Sequence, residues 1–251
     1  MGPQTKFVIL AGPRTGSTSL VDYLDALPET RCHSELFQDG RIDFRHHRPA
    51  DPRLNDIAFR DAQPVAFLDR MADSAKECRR FGFKVIGSQL STCNPDFIRE
   101  VCVGPAWKKI YLWRNDLFEQ SVSYLLAARH FGGGIWERTP GEQRITLAPK
   151  DLMACLHMVQ TTYFVIEAVL ANAGAEDVFS LNYRDLASPS VMGELRRFLG
   201  VPESAIDRAH RGIDFKPGPT LAQRIENQAE IRRFFLNSRY RHLIEQALAA
   251  A

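Results

Sequence analysis

The stretch KFVILAGPRTGSTSLVDYL, residues 6–24, decides the fold. It reads as an apolar strand, a turn of small residues and the start of a helix. A turn of this kind holds anions, because the first N–H groups of a helix lack intrahelical partners and its dipole is positive there. Gly12 and Gly16 permit the tight turn, and the N–H groups of residues 15–19 point outward from it. Ser17, Thr18 and Ser19 add hydroxyl donors, and Arg14 adds a planar guanidinium that grips two oxygens at once. A nucleotide-splitting P-loop has the pattern GxxxxGK[ST], with the lysine serving the terminal phosphates. Here three residues separate the two glycines and Ser17 follows the second, so the residue that would do ATP chemistry is missing. The plainer alternative is a Gly/Ser-rich helix cap with no ligand.

Working outward from this stretch, apolar runs at 6–12, 81–87, 108–114 and 177–183 predict strands. Their nearly continuous hydrophobicity is that of parallel strands buried on both faces. Helical patterns fall between and after them, at 17–27, 64–79, 94–103, 116–130, 151–173, 190–199 and 239–250. The alternation predicts a three-layer α/β/α fold with a central, mostly parallel sheet. With 251 residues, 45% hydrophobic, the chain is expected to form one domain over 1–251. Polar, Pro-containing segments at about 38–60 and 131–150 read as long loops, of the sort that serve as lids or binding segments.

A net charge of +2 gives no footing for nucleic acid or for a polybasic membrane surface. The five cysteines, at positions 32, 78, 93, 102 and 155, form neither a CxxC pair nor a metal-ligand spacing. Their odd number, with no leader before the first strand, predicts reduced thiols and a cytoplasmic protein. No apolar run approaches the ~20 residues of a membrane span, and Lys6 breaks the myristoylation pattern.

The loop PRTGST, residues 13–18, resembles the 5′-phosphosulfate loop of sulfotransferases that use 3′-phosphoadenosine-5′-phosphosulfate (PAPS). It is most similar to the bacterial carbohydrate and lipopolysaccharide branch, the trehalose- and nodulation-type enzymes. Cytosolic members carry lysine where Arg14 stands. The stretch YLWRNDLFEQSVSYLLA, 111–127, looks like the family's 3′-phosphate motif, in which a strand-end Arg and a Ser on the next helix clamp the phosphate. The matching residues are Arg114 and Ser123, with Ser121 a weaker candidate; the plainer reading of Arg114 is an ion pair with Asp116 or another carboxylate. LNYRDLASPSVMGELRRFLGV (181–201) and LAQRIENQAEIRRFFLNSRY (221–240) resemble later segments of the same family, in the family's order. The resemblance implies the P-loop-like sulfotransferase fold and PAPS as donor, with adenosine 3′,5′-bisphosphate as product. It assigns Arg14, Thr15, Gly16, Ser17, Thr18, Ser19, Arg114 and Ser123 to the donor. KPGPT, 216–220, stands where the family covers the 3′-phosphate and adenine, which makes Lys216 a donor contact unless this is simply a solvated loop.

Sulfuryl transfer needs donor and acceptor held in line, charge on the bridging oxygen offset, and the acceptor's proton removed. It demands no metal, and no carboxylate pair beside the loop or His/Cys cluster suggests one. Glu35, in ALPETRCHSELFQ (26–38), stands where the carbohydrate branch of the family has its catalytic glutamate. A carboxylate, with an ordinary pKa of ~4.3, would take the proton concertedly with bond formation. The plainer reading is an exposed glutamate at an element edge. His33 is a rival base two residues away. Cytosolic members place a histidine in a Lys-Thr-His strand, whose counterpart FKVIGSQ (83–89) keeps Lys84 and lacks the histidine. Lys84 either contacts donor or acceptor or pairs with a surface acid. Arg45, His46, His47 and Arg48 suggest a mobile acceptor-binding loop, and the aromatic ARHFGGGIW (128–136) either lines the acceptor site or ends a helix. The expected acceptor is a small molecule, glycan or glycolipid, with no nucleic acid and no integral membrane segment; a homodimer is compatible with the sequence but not required by it. Two other functions compete: a P-loop kinase or NTPase with a degenerate loop, which requires Mg²⁺–ATP, and a silent nucleotide-binding protein of the same fold.

Overall fold

The computed structural model of the chain describes residues 3–131, 145–203, 213 and 222–249. These fall into two compact units, one of residues 1–113 and 162–214 and one of residues 114–161 and 215–251.

The first unit is built on a five-stranded sheet. Its strands are β1 (Thr5–Ala11), β2 (Thr30–Glu35), β3 (Arg80–Ile86), β4 (Trp107–Trp113) and β5 (Val178–Asn182), in the order β2-β3-β1-β4-β5. Every pairing is parallel. The four predicted strands are present within one residue of their expected bounds. β2 is the addition, at the sheet edge, where the letters TRCHSE carry no apolar run. In the central strand β1, Phe7 through Ala11 are all fully buried. Val8 and Leu10 face a cluster with Phe81, Phe83, Val85, Phe67, Phe97 and Ile166, while Phe7 and Ile9 point to the opposite face, which is equally dry. Phe7 lies in register with Gly82, and a Cβ on Gly82 would overlap the Phe7 ring, so a residue without a side chain is required there.

The helices flank this sheet. α1 (Ser17–Asp25) links β1 to β2; α2 (Ile57–Ala62) and α3 (Pro64–Ser74) link β2 to β3. α4 (Gly87–Leu90), α5 (Pro95–Phe97) and a π-type turn at Ile98–Val103 lead to β4. A 3₁₀ turn, Tyr183–Ala187, and α8 (Pro189–Phe198) follow β5. The β1-to-β2 connection runs along the sheet in the opposite direction to the others. Right-handed crossovers therefore put α1 on one face and α3 and the turn before β4 on the other. Arg196 of α8 donates to the Tyr23 hydroxyl of α1 at 2.6 Å, so α8 shares the α1 face.

The second unit contains α6 (Leu117–Phe131), the first part of α7 (Pro149–Leu170), α9 (Gln228–Phe235) and α10 (Arg241–Ala249). Phe118, Val122, Leu152, Leu156, Ile231, Phe235 and Ile244 form its core. Ile145 and Ile225 form an isolated parallel bridge, and Asn227 both accepts from and donates to the backbone of Leu147. By length and composition α7 is apolar enough to cross a bilayer, with a mean hydropathy of 1.4. Of that apolar window 39% is buried within the protein, Leu152, Leu156, Val159 and Ile166 fully so, while Phe164 is exposed.

Candidate active site

The C-terminal ends of parallel strands are where an α/β sheet gathers its ligands, chiefly where connections diverge. β1 is such a strand here, since the connection after it runs toward β2 while the connection from β3 crosses to β4. The loop after β1 is shaped by two left-handed residues, Arg14 (φ 61°) and Gly16 (φ 74°). Thr15 is fully buried, and its hydroxyl donates to the Gly12 carbonyl at 2.8 Å, which closes the loop on itself. The Thr15 hydroxyl is thus spent inside the loop. Gly16 caps α1 without any side-chain hydrogen bond to the first turn. A Cβ there would come within 3.0 Å of Leu186 and 3.2 Å of Tyr183, so the segment after β5 packs directly on the loop. Ser17 is buried, while Thr18 and Ser19 are half-buried along the first turn.

Glu35 is the last residue of β2. The β2–β3 register shifts between His33 and Glu35, so that His33 pairs with Phe83 and Glu35 with the very next residue, Lys84. Such an irregularity re-aims a strand-end side chain. Lys84 Nζ lies 3.0 Å from Glu35 Oε1 and donates to Thr18 Oγ1 at 3.4 Å. The other carboxylate oxygen, Oε2, accepts from Gln89 Nε2 at 2.7 Å, and Gln89 Oε1 accepts from the Ile86 N–H at 3.0 Å. Lys84 is 4% exposed and Glu35 21% exposed at their side chains. The predicted base, the predicted lysine and the first turn of α1 therefore form one contiguous cluster. Lys84 pairs with an acid, as its plainer reading had it, but that acid is the half-buried Glu35 at the end of β2 and not one on the surface. Gln89 was not foreseen: nothing in FKVIGSQ shows that a glutamine five residues after the lysine folds back onto Glu35.

His33 is 2% exposed and packs edge-on to Phe44 and Phe81, with Nδ1 hydrogen-bonded to the Phe44 carbonyl at 3.0 Å. Burial pulls its pKa down from 6.5 to about 4, against the opposing pull of that hydrogen bond.

The segment from 38 to 60 is not a bare loop. It contains a 3₁₀ turn at Pro52–Asn55 and α2, and its charged residues are tied down. Arg45 grips both Asp22 oxygens at 2.9 and 2.8 Å, His46 Nε2 reaches Asp22 at 2.9 Å, and His47 Nε2 reaches Asp25 at 2.9 Å. Of the residues read as a mobile acceptor loop, Arg45, His46 and His47 thus hold carboxylates of α1, and Arg48 donates to Asn55 at 2.8 Å. Asp22 is lowered in pKa: desolvation opposes this, but the Arg45 and His46 hydrogen bonds outweigh it. Arg60, 3% exposed, donates to the carbonyls of Leu36, Gln38 and Arg41 at 3.0, 2.8 and 2.7 Å. It thereby fixes the turn that follows Glu35.

In the second unit, Arg114 is its first residue, one peptide beyond the end of β4. Its guanidinium lies 3.9 Å from Glu119, a carboxylate partner of the kind its plainer reading anticipated. Asp116 accepts from the Glu119 N–H at 2.9 Å and caps α6. Ser123 is half-buried on α6. Ser121 is fully buried with its hydroxyl unpartnered among the described residues, which leaves Ser123 as the more accessible of the two. Lys216, with the rest of 216–220, and residues 132–144 lie outside the described residues.

No protein-family model matches the chain, and no curated protein matches its sequence. Solved structures do. A sulfotransferase from Alicyclobacillus acidocaldarius aligns over 99% of this chain and 97% of its own, at 16% identity and a TM-score of 0.54. Mouse sulfotransferase SULT7A1 complexed with PAP aligns over 100% of this chain and 90% of its own, at 10% identity and a TM-score of 0.52. Sulfotransferase STF9 from Mycobacterium avium aligns over 100% and 76%, at 11% identity and a TM-score of 0.51. At these identities the likeness is one of architecture, and it agrees with the five-stranded parallel sheet and its flanking helices: the chain has the fold of the sulfotransferases.

Proposed function

We propose that the protein is a PAPS-dependent sulfotransferase acting on a hydroxyl, or an amine, of a carbohydrate or glycolipid. The observation that carries this reading is the continuity of Glu35, Lys84 and Thr18, which sets a proton acceptor, a cation and an anion-binding helix start side by side. In the reaction the acceptor oxygen forms a bond to sulfur as the bond from sulfur to the phosphate oxygen breaks. The acceptor's proton passes to Glu35, and adenosine 3′,5′-bisphosphate leaves with the electron pair of the broken bond. Arg14, Lys84 and the first N–H groups of α1 offset the charge gathering on the bridging oxygen. Arg114 and Ser123 take the 3′-phosphate, the group that separates PAPS from ATP, and Lys216 adds a further donor contact. The two units are read together as one sulfotransferase domain. The trehalose- and nodulation-type character rests on the Arg14 loop and on a glutamate where cytosolic members use histidine.

Calorimetric titration with adenosine 3′,5′-bisphosphate, in parallel with Mg²⁺–ATP, tests this. Metal-independent binding of the bisphosphate that is lost in both Arg14→Ala and Arg114→Ala is expected. Binding of Mg²⁺–ATP alone would overturn it.

A further inference from the structure

One ammonium is shared between the two halves of the cluster, and this has a consequence for the order of events. Lys84 Nζ is 3.0 Å from Glu35 Oε1 and 3.4 Å from Thr18 Oγ1, on a side chain that is 4% exposed. While Lys84 stays on Glu35, moving a proton to that carboxylate would leave an ammonium uncompensated in a nearly buried place, at high cost. A second anion at the start of α1 removes the difficulty. Such an anion would sit on the Thr18 side of Nζ, to which Lys84 already donates, and an ammonium on a flexible four-carbon stem offers three donors to share.

We propose that Lys84 is a donor-sensing latch: in the empty protein it occupies Glu35, and an oxyanion bound at the α1 start draws it off, exposing Oε1 to the acceptor. Gln89 is the positioning residue that makes the exchange useful. Its amide cannot turn, because Oε1 is held by the Ile86 N–H, so Nε2 keeps Glu35 Oε2 in place when Lys84 leaves. The charges balance throughout. Lys84 pairs first with Glu35 and then with the bound oxyanion, and Glu35 is neutral only after it has taken the acceptor's proton. The scheme imposes an order, with donor before acceptor. It rests on the functional reading above for the identity of that anion and for Glu35 as the base.

The test is a crystal structure of the full chain with adenosine 3′,5′-bisphosphate, whose 5′-phosphate stands in for the phosphosulfate. Lys84 Nζ is expected on a 5′-phosphate oxygen and beyond the ~4 Å limit of an ion pair from Glu35 Oε1, with the Gln89–Glu35 bond intact. In solution the carboxyl ¹³C signal of Glu35 is expected to move on adding bisphosphate, and to stay still in Lys84→Met. In Gln89→Met, bisphosphate affinity is expected to hold while the Glu35 side chain spreads over several rotamers in the complex. Bisphosphate seated in the loop with Lys84 still on Glu35 overturns the latch alone. A bisphosphate that does not bind overturns the functional reading and the latch with it.

Discussion

Glu35 and Lys84 stand opposite one another across β2 and β3, and their charges meet at 3.0 Å only because the strand register slips by one residue after His33. Without that slip the acid would face Val85, the next apolar position of β3. The pair is asymmetric, since the lysine is nearly buried and the acid is not. Removing the acid therefore strands a buried charge, whereas removing the lysine leaves a carboxylate that still has Gln89 and water.

The first prediction follows from that asymmetry. Glu35→Gln is expected to lower stability by about 3 kcal/mol, more than Lys84→Met does, and the double variant Glu35→Gln/Lys84→Met is expected to recover part of the loss. Urea denaturation of the three proteins measures this; equal losses for the two single variants would refute it. With PAPS and a responsive acceptor, Glu35→Gln is also expected to lower kcat by roughly 10²–10⁴-fold while bisphosphate affinity is kept, as for loss of a general base.

For the 3′-phosphate, Arg114 and Ser123 carry unequal weight. A guanidinium supplies charge-assisted, paired hydrogen bonds, and truncating such a partner costs 2–5 kcal/mol, so Arg114→Ala is expected to weaken bisphosphate binding roughly 30-fold or more. Ser123→Ala removes one neutral hydroxyl, worth about 1 kcal/mol, or roughly fivefold. Ser121→Ala is expected to leave binding unchanged, because its hydroxyl is fully enclosed. Titration of the three variants with bisphosphate decides it, and a larger effect from Ser121 than from Ser123 would reverse the assignment.

Much of this arrangement was legible in the letters. β1 announces itself because Phe7 through Ala11 must be apolar to sit in the dry centre of a parallel sheet, and the glycines of the next turn follow from its geometry. β2 was illegible for the opposite reason: Thr30, Cys32, His33 and Ser34 are buried by their neighbours although most of them are polar, so no hydrophobic pattern marks the strand. The Glu35–Lys84 pairing depends on a register shift, and Gln89 on a fold-back of α4; both are tertiary facts with no local signature. Likewise, His46 and His47 looked like a loop awaiting a ligand because their carboxylate partners, Asp22 and Asp25, lie more than twenty residues earlier in the chain.

His33 gives a pH dependence whose sign is fixed by its burial. Its pKa is held to about 4 in the folded protein and is near 6.5 when exposed. Between these values the unfolded chain binds a proton that the native state refuses. Its contribution to stability is thus fully present above pH 6.5, falls as pH drops through the window and is lost by about pH 4, a difference of about 3 kcal/mol. His33→Asn keeps a donor near the Phe44 carbonyl and cannot titrate. It is expected to be less stable at neutral pH, from lost packing, yet to show a flatter slope of unfolding free energy between pH 6.5 and 4. Parallel slopes for the two proteins would sink the idea.

The close approach of Phe7 and Gly82 gives a packing prediction that can be tested by compensation. Gly82→Ala drives a methyl into the Phe7 ring in the middle of the sheet and is expected to cost about 1–3 kcal/mol, the usual cost of overpacking. Phe7→Leu alone removes ring contacts, but in Gly82→Ala/Phe7→Leu the new methyl fills part of the space. The double variant is expected to be more stable than the sum of the two single losses, as for residues in direct contact. Strict additivity in urea denaturation would mean that the ring turns aside freely.

Arg60 gives the last prediction, because it joins the fold to the candidate base. Its guanidinium holds the carbonyls of Leu36, Gln38 and Arg41, and the turn it fixes returns the N–H groups of Gln38 and Asp43 to the Glu35 carbonyl at 3.3 and 3.1 Å. In Arg60→Met the side chain still packs on Phe37, but three carbonyls, of which that of Leu36 is buried, lose their donor, at about 1 kcal/mol each. The turn is expected to loosen before the protein unfolds, seen as faster hydrogen exchange at Gln38, Arg41 and Asp43 while the amides of β1 keep their protection. Glu35 then loses the fixed backbone beneath it, so kcat is expected to fall while bisphosphate affinity stays, since Arg60 bonds Asp61 and these three carbonyls, none of which belongs to the donor loop. Unchanged exchange at those three amides would show that the turn is held by its own backbone, and that Arg60 serves only its packing on Phe37.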